Sequence, residues 1–297
     1  MLSPEWGDLR TQDSALGMSL AFTRFARLLF AFTLLCSATG ALAGPPFQTD
    51  DPEPVPYRHF EAYLFGTADR SDVTTTAWPA FEFNAGFAPN LQFHIVVPVA
   101  GVSPDGSHGL GDIELGIKYR FVEETKVRPQ IGAFPMLELP TGNASRGLGN
   151  GHLWARLPIW LQKSNGPWTT YGGGGYVINR APGMKDAPFA GWLLQRQLSN
   201  RLTLGGEVFH QGAPSIDSRG STLLDAGGYY TLRGTLSLLF MGGHSVAGEH
   251  HTGQLPRPVL HVGHARCTEC FGSVAGRRSA DSLSGLAASP VASPVLG

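Results

Sequence analysis

Between residues 60 and 241 the chain alternates apolar and polar side chains in segment after segment. Residues 111–121 show it best. Ile113, Leu115, Ile117, Tyr119 and Phe121 fall on one face, and Asp112, Glu114, Gly116, Lys118 and Arg120 on the other. A period of two is that of a strand with one apolar face, whereas a helix would scatter these charges around its circumference. The same alternation, weaker in 127–139, predicts strands at 60–65, 81–87, 91–97, 127–139, 153–161, 168–178, 189–198, 202–210, 223–230 and 235–241. With 111–121 that makes about eleven segments, each of roughly 9–11 residues, the length a tilted strand needs to cross a bilayer.

The connectors alternate too. Short turns at 88–90, 123–126, 164–167 and 199–200 carry Pro, Asn, Gly and Ser, while the links at 100–110, 140–151, 180–188 and 211–221 are longer and glycine-rich. Short turns at one rim and long loops at the other describe an outer-membrane barrel. A two-sheet sandwich has no reason to sort its loops this way. The predicted fold is therefore all-β, an antiparallel up-and-down transmembrane β-barrel. Closure leaves no sheet edge for lipid to solvate.

Composition agrees. Charged residues are 15% of the 297, with 39 glycines and 10% aromatics, below the usual charged share of about 25%. The formal net charge of -1 gives no basic patch, so no nucleic-acid partner is expected. Mean hydropathy is -0.04, and one stretch is strongly apolar from end to end. Arg24 and Arg27 precede an apolar core at 28–36, and small residues follow up to Ala41-Leu42-Ala43. This is the order of a secretory signal peptide cleaved after Ala43, with Met18 standing where such a segment would start. The first 43 residues are thus read as extension plus signal peptide, and 44–251 as the barrel. Residues 44–54, with four prolines, are expected to form an extended acidic segment on the periplasmic side.

Several stretches resemble one known family. They are Gly44-Pro45-Pro46-Phe47 with Thr49-Asp50-Asp51-Pro52-Glu53-Pro54, the whole of 111–121, Glu138-Leu139-Pro140-Thr141-Gly142, and Trp160-Leu161-Gln162-Lys163 with 166–176. The family is that of the transporter-like outer-membrane proteins associated with the meta-cleavage pathway of phenol degradation. The resemblance spans about 44–251. It implies a barrel and uptake of aromatic or other hydrophobic compounds, and it brings no catalytic residues. Barrels of this kind end in a strand closed by an aromatic residue. Here the alternation disappears from about Thr252, and Pro, Ser, Ala and Arg take over. Residues 252–297 are read as a disordered, frameshifted tail, and the last of about twelve strands as missing, since such barrels use even numbers.

The polar face carries the candidate chemistry. If its apolar neighbours face lipid, Glu82, His94, Asp112, Glu114, Lys118, Arg120, Arg128, Glu138, Arg156, Gln162 and Glu207 point into the lumen. There they either pair with one another and plug it, or form rings that select a solute. Gln195 and Arg196 fall on opposite faces, and the sequence does not say which is inside. His261, His264, Cys267 and Cys270 have the spacing of a zinc cluster. Chance residues in an unselected tail, with no sizeable apolar core around them, account for it better, so no metal is assigned. Glycines 172–175 and 147–151 lack the Lys-Ser/Thr of a phosphate loop. No Gly-x-Ser-x-Gly elbow appears, so no enzyme and no cofactor are expected. The expected partners are outer-membrane lipid, the barrel-insertion machinery and a small-molecule solute. The alternative is a structural or surface barrel with a plugged lumen and no transport.

Overall fold

A computed structural model describes residues 46–70, 73–249 and, as backbone, 259–262. The chain divides into residues 1–267 and 268–297, and the second unit lies outside the described residues. The signal peptide expected in the first 43 residues lies outside them as well.

The strands are β1 (Phe60–Arg70), β2 (Thr74–Ala88), β3 (Leu91–Ser103), β4 (Ser107–Leu110), β5 (Ile113–Val122), β6 (Gln130–Ala133), β7 (Met136–Leu139), β8 (Trp154–Asn165), β9 (Trp168–Asn179), β10 (Ala187–Gln197), β11 (Leu202–Gln211), β12 (Ser221–Arg233), β13 (Leu236–Gly248) and β14 (Val259–Val262). All pair antiparallel, and β14 pairs with both β13 and β1, so the sheet closes on itself. Fourteen segments make twelve wall strands, because β4 with β5 and β6 with β7 are interrupted single strands. The second interruption falls at Pro135, which has no N–H to donate. Its carbonyl still accepts from Ile117 N at 3.0 Å.

All eleven predicted segments are strands. Three expectations need correction. First, the final strand is not missing at 259–262. Leu260 stands in register between Leu238 and Leu64, and His261 between Ser237 and Tyr63. Four residues are too few for alternation to show, and here backbone pairing on both sides defines the strand. The rest of the expected tail lies outside the described residues. Second, part of the link expected at 100–110 is a hairpin of β3 and β4. Third, the strand predicted from Val127 starts at Gln130, which leaves Arg128 exposed in a short turn, donating its backbone N–H to Thr125 Oγ1.

The faces sort as the alternation requires. Leu64, Phe93, Ile117, Leu137, Leu157, Ile159, Trp192, Leu194, Val208 and Leu224 are exposed on the outer surface. The inner surface is not uniformly polar. Asn84, Gln92, His94 and Lys118 line one arc, on β2 to β5. Phe189, Leu193, Phe209, Leu223, Leu239 and Met241 fill the opposite arc, on β10 to β13. On β10 the buried residues Phe189 and Leu193 set the parity, so Gln195 is inside and Arg196 outside, its guanidinium 5.1 Å from the Trp168 ring centre.

Candidate functional site: a stoppered lumen with a charged cavity

Residues 46–55 run inside the barrel rather than beside it, which corrects the expected periplasmic segment. Phe47 packs with Tyr171, Leu193 and Met241. Three prolines in 46–55 forbid helix and remove N–H groups that would need partners in the lumen. The N–H groups that remain find acceptors on the wall. Glu207 accepts from Gln48 N at 2.9 Å and Thr49 N at 2.8 Å. Gln92 Oε1 accepts from Val55 N at 2.7 Å.

The acidic side chains of this stopper meet the cations of β5. Lys118 Nζ lies 3.0 Å from Asp50 Oδ1 and 3.5 Å from Asp51 Oδ1. Arg120 Nη1 donates to Glu53 Oε1 at 3.3 Å, and Gln130 Nε2 to Glu53 Oε2 at 3.0 Å. The wall also makes room for the segment. A Cβ on Gly191 would collide with Thr49 Oγ1, and one on Gly132 would press on Pro52. Gln92, Lys118, Arg120 and Gln130 lie near the short turns, whereas Glu207 and Gly191 stand near the middle of β11 and β10.

Above the stopper, toward the long loops, is a cavity of about 290 Å³. Glu82, His94, Asp112, Glu114, Lys118, Glu138 and Arg156 border it, together with Asp50 and Glu61. It shares Pro98, Asp112 and Glu138 with a second space of about 480 Å³ beneath the long loops. The loop after β7 bends over this vestibule. Asp112 holds it by accepting from Gly142 N at 2.9 Å and Asn150 N at 2.6 Å. A left-handed Gly147, φ 69°, ends its single 3₁₀ turn, Ala144–Arg146, and Leu148 follows, buried.

A side-chain chain links stopper and cavity. Because Gln92 Oε1 receives Val55 N, its Nε2 must donate to Asn84 Oδ1, at 2.9 Å. That fixes the Asn84 amide, whose Nδ2 donates to Glu82 at 2.7 Å. His94 Nδ1 then faces Asn84 Oδ1 at 2.7 Å and Nε2 faces Glu114 Oε1 at 2.8 Å. With an acceptor at each ring nitrogen, His94 satisfies both only as the imidazolium. Glu138 borders the same cavity beside Glu114 and Arg156.

The sequence-predicted residues thus separate. Glu82, His94, Asp112, Glu114, Lys118, Glu138 and Arg156 meet at the cavity. Glu207 and Arg120 hold the stopper, Gln162 pairs in register with Gln130 at the short-turn end, and Arg128 lies outside the wall. Of the proposed zinc cluster, His261 stands in β14, and His264, Cys267 and Cys270 lie outside the described residues. Sequence reasoning missed Asn84, Gln130, Trp160 and the stopper itself. One signal was available: Asp50, Asp51 and Glu53 match the spacing of Lys118 and Arg120 on one strand face.

No protein-family model matches the chain, and no curated protein matches it. Its fold does match a solved structure. An outer membrane channel from Pseudomonas putida F1 superposes with a TM-score of 0.57 at 17% sequence identity, over 74% of this chain and 98% of that one. At this identity the likeness shows the fold alone: a β-barrel of the outer-membrane kind.

Proposed function

We propose that the protein is an outer-membrane channel for small molecules, with a lumen closed on the short-turn side by residues 46–55. The observation that carries the reading is the adjacency of the long-loop vestibule and the mid-lumen cavity, which share Pro98, Asp112 and Glu138 and end on a stopper held to the wall by hydrogen bonds and ion pairs. An apolar exterior over a partly polar interior is the arrangement a lipid-embedded barrel needs. The structural neighbour is itself an outer membrane channel. The amphipathic lumen, with Phe65, Phe134 and Trp160 facing the acids and bases, supports an aromatic or hydrophobic solute, in line with the family resemblance. Lipid and the insertion machinery are the proposed partners, and the channel reading includes no catalytic step.

The second reading, a plugged structural barrel, is favoured by the same stopper. Planar-bilayer recording separates the two. The full chain should give brief current steps, and a chain lacking residues 46–55 should give larger and longer ones. A folded barrel silent in both forms would leave the structural reading standing.

A further inference from the structure

Five of the six carboxylates at the cavity are held directly. Asp50 is held by Lys118, Asp112 by loop amides, Glu114 by His94, Glu82 by Asn84, and Glu61 by the Tyr63 hydroxyl at 2.7 Å. Two of the three bases, Lys118 and His94, are held as well. Arg156 is different. Among the described residues it makes no ion pair and no hydrogen bond, and its Nε is buried without a partner, although it borders the cavity. Its guanidinium lies 4.3 Å from the ring centre of Phe189 and 5.5 Å from that of Phe209. Those rings fix the plane of the fork and occupy its flank, but they accept no hydrogen bond in that plane.

We infer that Arg156 is the recognition group of a binding site for a small organic carboxylate, whose apolar body lodges against Phe134 and Trp160. The inference rests on the channel reading, since the vestibule is the route by which a solute reaches Arg156. Three observations carry it. Carboxylates surround Arg156 at a distance, but none hydrogen-bonds to it, and a carboxylate placed in the plane of its fork supplies two parallel hydrogen bonds. Phe134 and Trp160 give the same cavity an apolar wall, so head and body of one molecule are both accommodated. A space of about 290 Å³ is small for a ligand site. A dry cavity of about 150 Å³ already holds benzene, so one substituted ring fits and a large solute does not. The neighbouring acids do not cancel the attraction to an anion. Glu114 is engaged by His94 and Asp50 by Lys118, so these two acids are already compensated by cations.

The test is equilibrium binding to the refolded full chain in detergent, by calorimetry, with benzoate, benzamide and benzylamine as probes. They share one ring and differ in charge. Benzoate should bind, and the other two should bind at least about tenfold more weakly, the factor expected when a charge-assisted hydrogen bond is lost. Arg156→Lys keeps the charge but not the planar fork and should weaken benzoate by about tenfold. Arg156→Gln should abolish the preference for benzoate over benzamide. Heat-modifiable gel migration checks that each variant is folded. If a variant does not fold, the wild-type series decides by itself. Equal binding of the three probes, a preference for benzylamine, absence of benzoate binding at millimolar concentration, or an unchanged preference in folded Arg156→Gln would overturn the inference. Conductance reports separately on the channel. A barrel that binds benzoate but carries no current keeps the site and defeats the channel, and a conducting barrel indifferent to probe charge defeats the site alone.

Discussion

At the scale of single residues, Glu207 is the side chain on which the stopper most depends. Its two oxygens receive two consecutive backbone N–H groups, of Gln48 and Thr49. Hydrogen bonds to an ionised acceptor contribute about 1.5–3 kcal/mol each. Glu207→Gln keeps one acceptor oxygen and replaces the other with a donor facing a donor. The stopper should then leave the lumen more often, while the wall, whose ladder does not use this side chain, stays closed. The expected result is longer channel openings with unchanged heat-modifiable migration. Gln92 tests the other end. Gln92→Leu leaves Val55 N without its acceptor and Asn84 Oδ1 with His94 alone, and a buried unpaired group costs about 1–3 kcal/mol. The folded form should be lost at a lower temperature than in wild type. An unchanged melting temperature would mean that water replaces the Gln92 amide.

At the scale of elements, the alternating faces make opposite demands on neighbouring residues of one strand. On β8, Ile159 is exposed on the outer surface, and Gln162 belongs to the inner set that includes Trp160. An arginine facing lipid near the midplane costs about 2–4 kcal/mol. Ile159→Arg should therefore insert into vesicles less efficiently than Gln162→Arg. Equal yields would show that Ile159 lies outside the hydrocarbon zone. The loop after β7 depends on one interior carboxylate in a similar way. Asp112→Ala releases the amides of Gly142 and Asn150, so the loop should withdraw from the vestibule and expose the chain near Leu148 to protease.

At the scale of the whole molecule, closure rests on β14. Its four residues carry all the described pairing between β13 and β1. An open pair of edges would leave unpaired N–H and C=O groups in lipid, each costing several kcal/mol. Leu260 stands opposite both Leu64 and Leu238, so Leu260→Pro removes an N–H at the seam and bends the strand away from its neighbours. The variant should lose the compact, heat-modifiable species. Its persistence would show that residues 259–262 are not the closing strand.

Eleven of the strand segments, the sorting of turns and loops, and the common face of His94, Glu114, Lys118 and Arg156 follow from the sequence alone. Each depends on period-two alternation, a local property that a strand converts directly into two faces. Other features needed the tertiary structure because they depend on partners far apart in the chain. Residues 46–55 carry no periodicity, and they become a stopper only because Glu207, Lys118, Arg120 and Gln92 stand together around one lumen. Val259–Val262 is too short to be read as a strand, and its edge positions are defined by β1 and β13. Composition could not show that Lys118 is paired and Arg156 is not. The difference lies in which carboxylates the folded stopper and the folded loop bring within reach, and which of those are already held.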